Sequence, residues 1–167
     1  MQGFPLIVVS RQGESKMEIA KNKKANFNYE IVSRIEAGIQ LTGPEVKALR
    51  AGKLNISEAY VSVEHGEAWL VNASVEPVAG AHMSGLESAS PRRSRKLLLR
   101  KKEILTLAKE LDQQGMTAVP MSAHFNAGGF AKIIVGVGKG KKLHDKRATI
   151  KKREWDKQKR RTLKEYS

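Results

Sequence analysis

From Lys139 to Ser167 the chain carries thirteen Lys or Arg and four Asp or Glu, a net +9 out of +14 for all 167 residues. Subtracting the two leaves only +5 on residues 1–138. A segment so densely charged matches polyphosphate, which in a protein of this size means nucleic acid. The folded body must therefore come from the part before it, and that part is long enough for one domain with a real core.

The tail is compatible with a helix from Asp145 onward. Ala148, Trp155, Leu163 and Tyr166 project onto one side of a helical wheel, with Ile150 roughly opposite. So few apolar residues do not hold a free helix against chain entropy, and like charges repel along it. The tail is therefore expected to be disordered when free and to fold on binding. Lys139-Gly-Lys-Lys142 should keep its start flexible. His144 and Trp155 are candidates to stack on bases. The Gly136–Lys141 run is not a phosphate-binding P-loop, because Val135 stands where the first Gly is needed and Lys142 where Ser or Thr is needed.

The body reads as mainly antiparallel β with flanking helices. Phe27, Tyr29, Ile31, Ile35, Ala37, Ile39 and Leu41 alternate with polar neighbours, the period of a half-buried strand. Val32-Ser33 interrupts the phase, and Gly38 suggests a bend or bulge. Thr42-Gly-Pro-Glu45 is a capping-box pattern opening a short helix that stops at Gly52. Tyr60–Glu64 and Glu67–Pro77 form a hairpin across His65-Gly66. Val78–Arg95 reads as a long surface loop ending in the basic run Pro91–Lys96, with a fifth strand near Arg95–Leu99. Ile104, Leu107, Ala108 and Leu111 mark an amphipathic helix stopped by Gly115, with Lys101 and Lys102 placed against its dipole. Met116–Asn126 and Phe130–Gly138 pair through Ala127-Gly-Gly129. The pattern suggests a small oligonucleotide-binding-like barrel with two to three helices and a basic C-terminal tail.

Other classes are set aside. The absence of cysteine excludes disulfides and thiolate metal sites, and the four histidines are scattered without metal-ligand spacing. No metal or cofactor is expected, no catalytic constellation stands out, and no apolar run reaches membrane-span length. The chain reads as a cytoplasmic monomer and not an enzyme. Residues 1–19 read as a flexible leader, with Met17 a possible alternative start, 20–138 as the RNA-binding body and 139–167 as the tail.

Several stretches, in order and at consistent spacing, carry a family resemblance. They are Asn22-Lys-Lys-Ala25, Glu36-Ala-Gly38, Gly43-Pro-Glu-Val-Lys-Ala-Leu-Arg-Ala-Gly52, Arg95-Lys-Leu-Leu-Leu99, Gly138-Lys-Gly-Lys-Lys142 and His144-Asp-Lys-Arg147. On these the chain resembles the SsrA-binding protein (SmpB) family, the partners of transfer-messenger RNA.

The resemblance implies that the body holds the tRNA-like domain of that RNA through Asn22, Glu36, Leu98 and Lys132, with Lys23 and Lys24 beside Asn22. It also implies that the pair enters ribosomes stalled on mRNA without a stop codon, where the nascent peptide is tagged. The tail then occupies the small-subunit decoding centre and empty mRNA channel through Gly138, Lys139, Lys141, Lys142, His144, Asp145, Lys146 and Arg147, with Trp155 further along. The residues alone leave open a ribosome-associated structural protein with a basic extension. They also leave Glu36 as a plain ion pair with a strand neighbour and Leu98 as core. His124, where the family often has an aromatic, departs from the pattern.

Overall fold

The computed structural model describes residues 7–9, 15–76 and 90–165. In chain order the elements are β1 (Ile7–Val9), β2 (Ser15–Lys21), α1 (Ala25–Asn28), β3 (Tyr29–Ile39), α2 (Gly43–Arg50), β4 (Leu54–Asn55) and β5 (Tyr60–Glu64). They continue with β6 (Glu67–Val71), β7 (Ser74–Val75), β8 (Arg95–Leu98), α3 (Lys101–Asp112), β9 (Met116–Phe125), β10 (Ala131–Gly140) and α4 (Leu143–Glu165).

Eight strands make one antiparallel sheet in the order β1-β2-β9-β10-β3-β8-β6-β5, and a further pairing of β5 with β9, at Val61 and Ala118, closes it into a ring. β4 and β7 form a separate small pair. The expected antiparallel strands with flanking helices are thus present, in a ring-like arrangement, with four helices among the described residues rather than two or three. No helix among the described residues is long and apolar enough to cross a membrane.

Ring closure depends on a break in β9. Its C-terminal half pairs with β2, while Ala118 in its N-terminal half pairs with β5. Between the halves the register against β10 shifts, so that Ile134 faces Ser122 but Val135 faces Pro120. Proline has no N–H to give to a ladder, so the bulge forms where it does least damage. Inside the ring Ala37, Leu70, Leu97, Ile133, Val135 and Val137 are almost wholly buried and pack as one cluster with Leu49 and Leu107 from the helices.

Several sequence expectations are sharpened or corrected. The interruption expected at Val32-Ser33 is a bulge: Val137 pairs with Ser33 and Gly138 with Ile31, which leaves Val32 outside the ladder and exposed, while the inward Ser33 hydroxyl donates to Glu110 of α3 at 2.9 Å. An inward polar group simply found a partner. Gly38 is not at a bulge; the shift between β3 and β10 falls at Val137/Gly138 instead. The strand expected over Glu67–Pro77 is broken into β6 and β7 at Asn72, whose φ is +63°. Ser15–Lys21 pairs with β9 rather than belonging to a loose leader, because β9 offers it an unpaired edge. The expected loop from Val78 lies outside the described residues as far as residue 89.

The capping box at α2 is present. The Thr42 N–H donates to Glu45 Oε1 at 2.9 Å, and the Glu45 N–H donates to Thr42 Oγ1 at 3.4 Å. Glu45 is buried, and it also accepts from Arg93 and from Arg95 Nε. Arg95 is 1% exposed and donates further to the carbonyls of Ala73, Arg93 and Pro91 at 3.0–3.1 Å. Burial alone would push the Glu45 carboxyl up. The hydrogen bonds from Arg93, the Thr42 backbone and Arg95 outweigh it and hold the carboxyl below its ordinary value.

Candidate nucleic-acid interface

Three candidate RNA residues, far apart in sequence, come together on one face. Cross-strand pairing aligns Glu18 of β2, His124 of β9, Lys132 of β10, Gly38 of β3 and Leu98 of β8 in a single row. Cross-strand partners in a ladder point their side chains to the same face. Glu36 lies two residues from Gly38 on the same face of β3. Glu36, Leu98 and Lys132 line one open cavity of about 580 Å³.

Gly38 shapes that cavity by what it lacks. A Cβ there would sit 3.2 Å from Leu98 Cβ and 3.6 Å from Lys132 Nζ. The lysine therefore lies across the glycine, bringing its ammonium beside the leucine. Leu98 is 54% exposed, so this large apolar side chain is not core.

Around this trio stand Gly66, Lys96, Arg100, Glu103 and Ile104. Glu67 holds Lys96 at 2.9 Å, and Glu103 accepts from the Arg100 backbone N–H at the start of α3. These two carboxylates are thereby engaged. Glu36 has a buried neighbour on the diagonal, two strands away: His124 Nε2 lies 3.6 Å from Glu36 Oε2. The cavity thus offers an apolar surface for a base or ribose, cations for phosphate, and a carboxylate able to accept from a base amino group.

Asn22 is not part of this face. Its N–H donates to Met121 O at 2.8 Å, and its Nδ2 donates to Pro120 O at 3.0 Å and Ile56 O at 3.3 Å. It is buried, and it clamps the chain after β2 onto the β9 bulge. Lys23 and Lys24 beside it are exposed, and Lys24 faces Glu58 at 3.9 Å. Lys24 and Asn22 line a smaller cavity of about 230 Å³ with Asn28, Tyr29 and Tyr60.

The tail residues leave from the other end of β3 and β10. Gly138 and Lys139 are strand residues rather than a flexible start, with Lys139 opposite Glu30 and Gly140 opposite Tyr29. At Gly138 a Cβ would stand 2.2 Å from the Glu30 carbonyl oxygen, so only glycine lets the strands approach there. The Lys141 N–H donates to Asn28 O at 2.8 Å, and its Nζ lies 3.4 Å from Thr149 Oγ1.

Helix α4 then runs without a break from Leu143 to Glu165, where the sequence suggests disorder in the free chain. Lys, Arg, Glu and Gln have good helix propensity, which favours helix wherever the backbone is ordered. His144 and Asp145 fall in its first turn, followed by Lys146 and Arg147. Beyond them Trp155 is 68% exposed, beside Gln158, Lys159 and Thr162. One ring contact joins the helix to the body, with Arg153 Cζ 5.4 Å from the centre of the Phe27 ring. From Gly38 to Tyr29 the strand covers roughly 30 Å of chain, so the cavity and the tail root occupy opposite ends of one ladder.

The sequence gives no hint of Gly66, Arg100, Glu103 or His124 at this face. Strand register reveals His124, and the lining of the cavity reveals the other three. The basic run before β8 is likewise misleading, because Arg95 is structural.

The family described as "SmpB protein" matches residues 19–165. An SsrA-binding protein of Mesorhizobium japonicum is 48% identical over 157 residues, covering 94% of this chain and 97% of that protein. Another, of Agrobacterium fabrum, is 51% identical over 146 residues, covering 87% and 89%. Among solved structures, a chain from work described as "tmRNA-SmpB: a journey to the center of the bacterial ribosome" matches with TM-score 0.61 and 40% identity, over 74% of this chain and 85% of that one. This chain belongs to the SmpB family of SsrA-binding proteins.

Proposed function

We propose that this protein binds transfer-messenger RNA and brings it to ribosomes stalled on mRNA that lacks a stop codon, where it acts in trans-translation. The observation that carries the division of labour is the meeting of Glu36, Leu98 and Lys132 in one cavity. The cavity grips the tRNA-like domain: Leu98 packs against a base or ribose, Lys132 meets phosphate and Glu36 accepts from a base edge. Asn22 acts indirectly, by fixing the segment that carries Lys23 and Lys24. The tail, from Gly138 through Arg147 and on to Trp155, enters the decoding centre and empty mRNA channel of the small subunit, where RNA walls neutralise its charge. The work is binding rather than chemistry, carried out in the cytoplasm.

The test is binding of the purified chain to transfer-messenger RNA against a large excess of tRNA at physiological salt, with wild type beside Lys132→Ala and Leu98→Ala. Wild type should bind through the competitor, and each variant should weaken by roughly tenfold, the size of one good contact. Binding that collapses under tRNA would leave charge alone as the cause and favour a general ribosome-associated RNA-binding protein.

A further inference from the structure

We infer that His124 is a positioning residue for Glu36, through which RNA binding at the cavity takes up a proton. The inference rests on the cavity being the transfer-messenger RNA site.

His124 belongs to the same cross-strand row as Lys132 but is covered, at 5% exposed. Its Nε2 is 3.6 Å from Glu36 Oε2, close enough for an ion pair once the imidazole is protonated. The other charged groups around it come from each neighbouring strand. Glu18 of β2 is its cross-strand partner on one side, and Lys132 of β10 is its partner on the other. Lys21 stands further along β2, and Glu103 of α3 is across the cavity. The Glu36 carboxylate is thus within 3.6 Å of the imidazole, while Glu18 and Lys132 stand opposite His124 on the two flanking strands.

RNA brings phosphates to the face. Their negative field favours a proton on any titratable group beneath, and His124 is the group there whose ordinary value is near neutral. Once protonated, His124 offsets the Glu36 charge that otherwise repels phosphate, and it holds that carboxylate in place. Linkage makes the effect reciprocal: if RNA raises the proton affinity of His124, lower pH tightens RNA.

The test is the affinity of the full chain for transfer-messenger RNA at about pH 7.5 and about pH 6, at constant ionic strength. Wild type should bind roughly two- to fourfold more tightly at the lower pH, the gain over this range from a pKa about half to one unit higher in the complex. In His124→Gln the ratio between the two pH values should fall to about one. A His124→Gln variant that keeps the wild-type ratio overturns the inference. A direct readout that needs no variant is NMR titration of the His124 imidazole, free and RNA-bound. A higher pKa in the complex supports the inference, and an unchanged or lower one overturns it. Absence of RNA binding at both pH values would overturn the proposed function as well, whereas binding without pH dependence overturns only the role of His124.

Discussion

Two basic stretches of this chain look alike in sequence and have opposite fates. Arg92 to Lys96 and the run from Lys139 onward are both dense in Lys and Arg. In the first, Arg95 is buried, bonded to Glu45 and to three backbone carbonyls, and it locks the strand start of β8 to α2. In the second, the cations of α4 stand almost entirely in solvent. A run of charge therefore says nothing by itself about whether it serves the fold or a partner. What decides is whether a carboxylate and carbonyls arrive from elsewhere in the chain to receive it.

The comparison breaks most visibly at Arg95. Arg95→Met leaves the Glu45 carboxylate buried with one partner fewer, and urea unfolding should show a loss of about 3–5 kcal/mol. Lys157→Ala, on exposed α4, should change stability by less than about 0.5 kcal/mol. Similar losses at the two sites would erase the distinction. Acid sharpens it further. The Glu45 carboxyl is held below its ordinary value, so its contribution is complete above the unfolded carboxylate pKa of about 4.3 and disappears as pH falls through the lower folded value. Thermal unfolding should drop below about pH 4 in wild type and do so less steeply in Glu45→Gln.

Gly138 stands between the two regimes, within the ladder yet part of the tail motif. Gly138→Ala should destabilise by about 1–3 kcal/mol, because the added carbon meets the Glu30 carbonyl and the strands must separate. A neutral result would mean that β10 is already loose there. The smallest effect belongs to Trp155→Ala. With the ring 68% exposed, the unfolding free energy should change by less than about 0.5 kcal/mol, leaving the melting temperature almost unmoved, while peptide tagging on stalled ribosomes falls sharply. A large drop in melting temperature would show that the tail is part of the folded unit after all.

Much of the fold was legible because its signals are local. Alternation in β3, the capping box at Thr42, the His65-Gly66 turn and the glycines between β9 and β10 each follow from a few adjacent residues. What was illegible is what depends on distant pairing. Nothing near Val61 announces that it meets Ala118 to close the ring. Nothing near His124 announces Glu36, since their proximity needs two strand registers at once. Asn22 shows the converse. The family pattern marks it, but the structure gives it a buried scaffold role that composition could not distinguish from surface contact.

The pairing of β3 with β10 also has a metrical consequence. One end of this ladder carries Gly38 and Lys132, and the other carries Tyr29 and Gly140. Because hydrogen bonds continue to Lys141, the chain has no slack between the two ends. The body is therefore a caliper with fixed jaws. Whatever is gripped at Lys132 determines, to within a side chain's reach, the point in space from which the tail departs. Steering is left to the residues after Lys141. A two-residue insertion at that point should redirect the tail without altering the grip, whereas the same insertion inside β10 should open the jaws themselves.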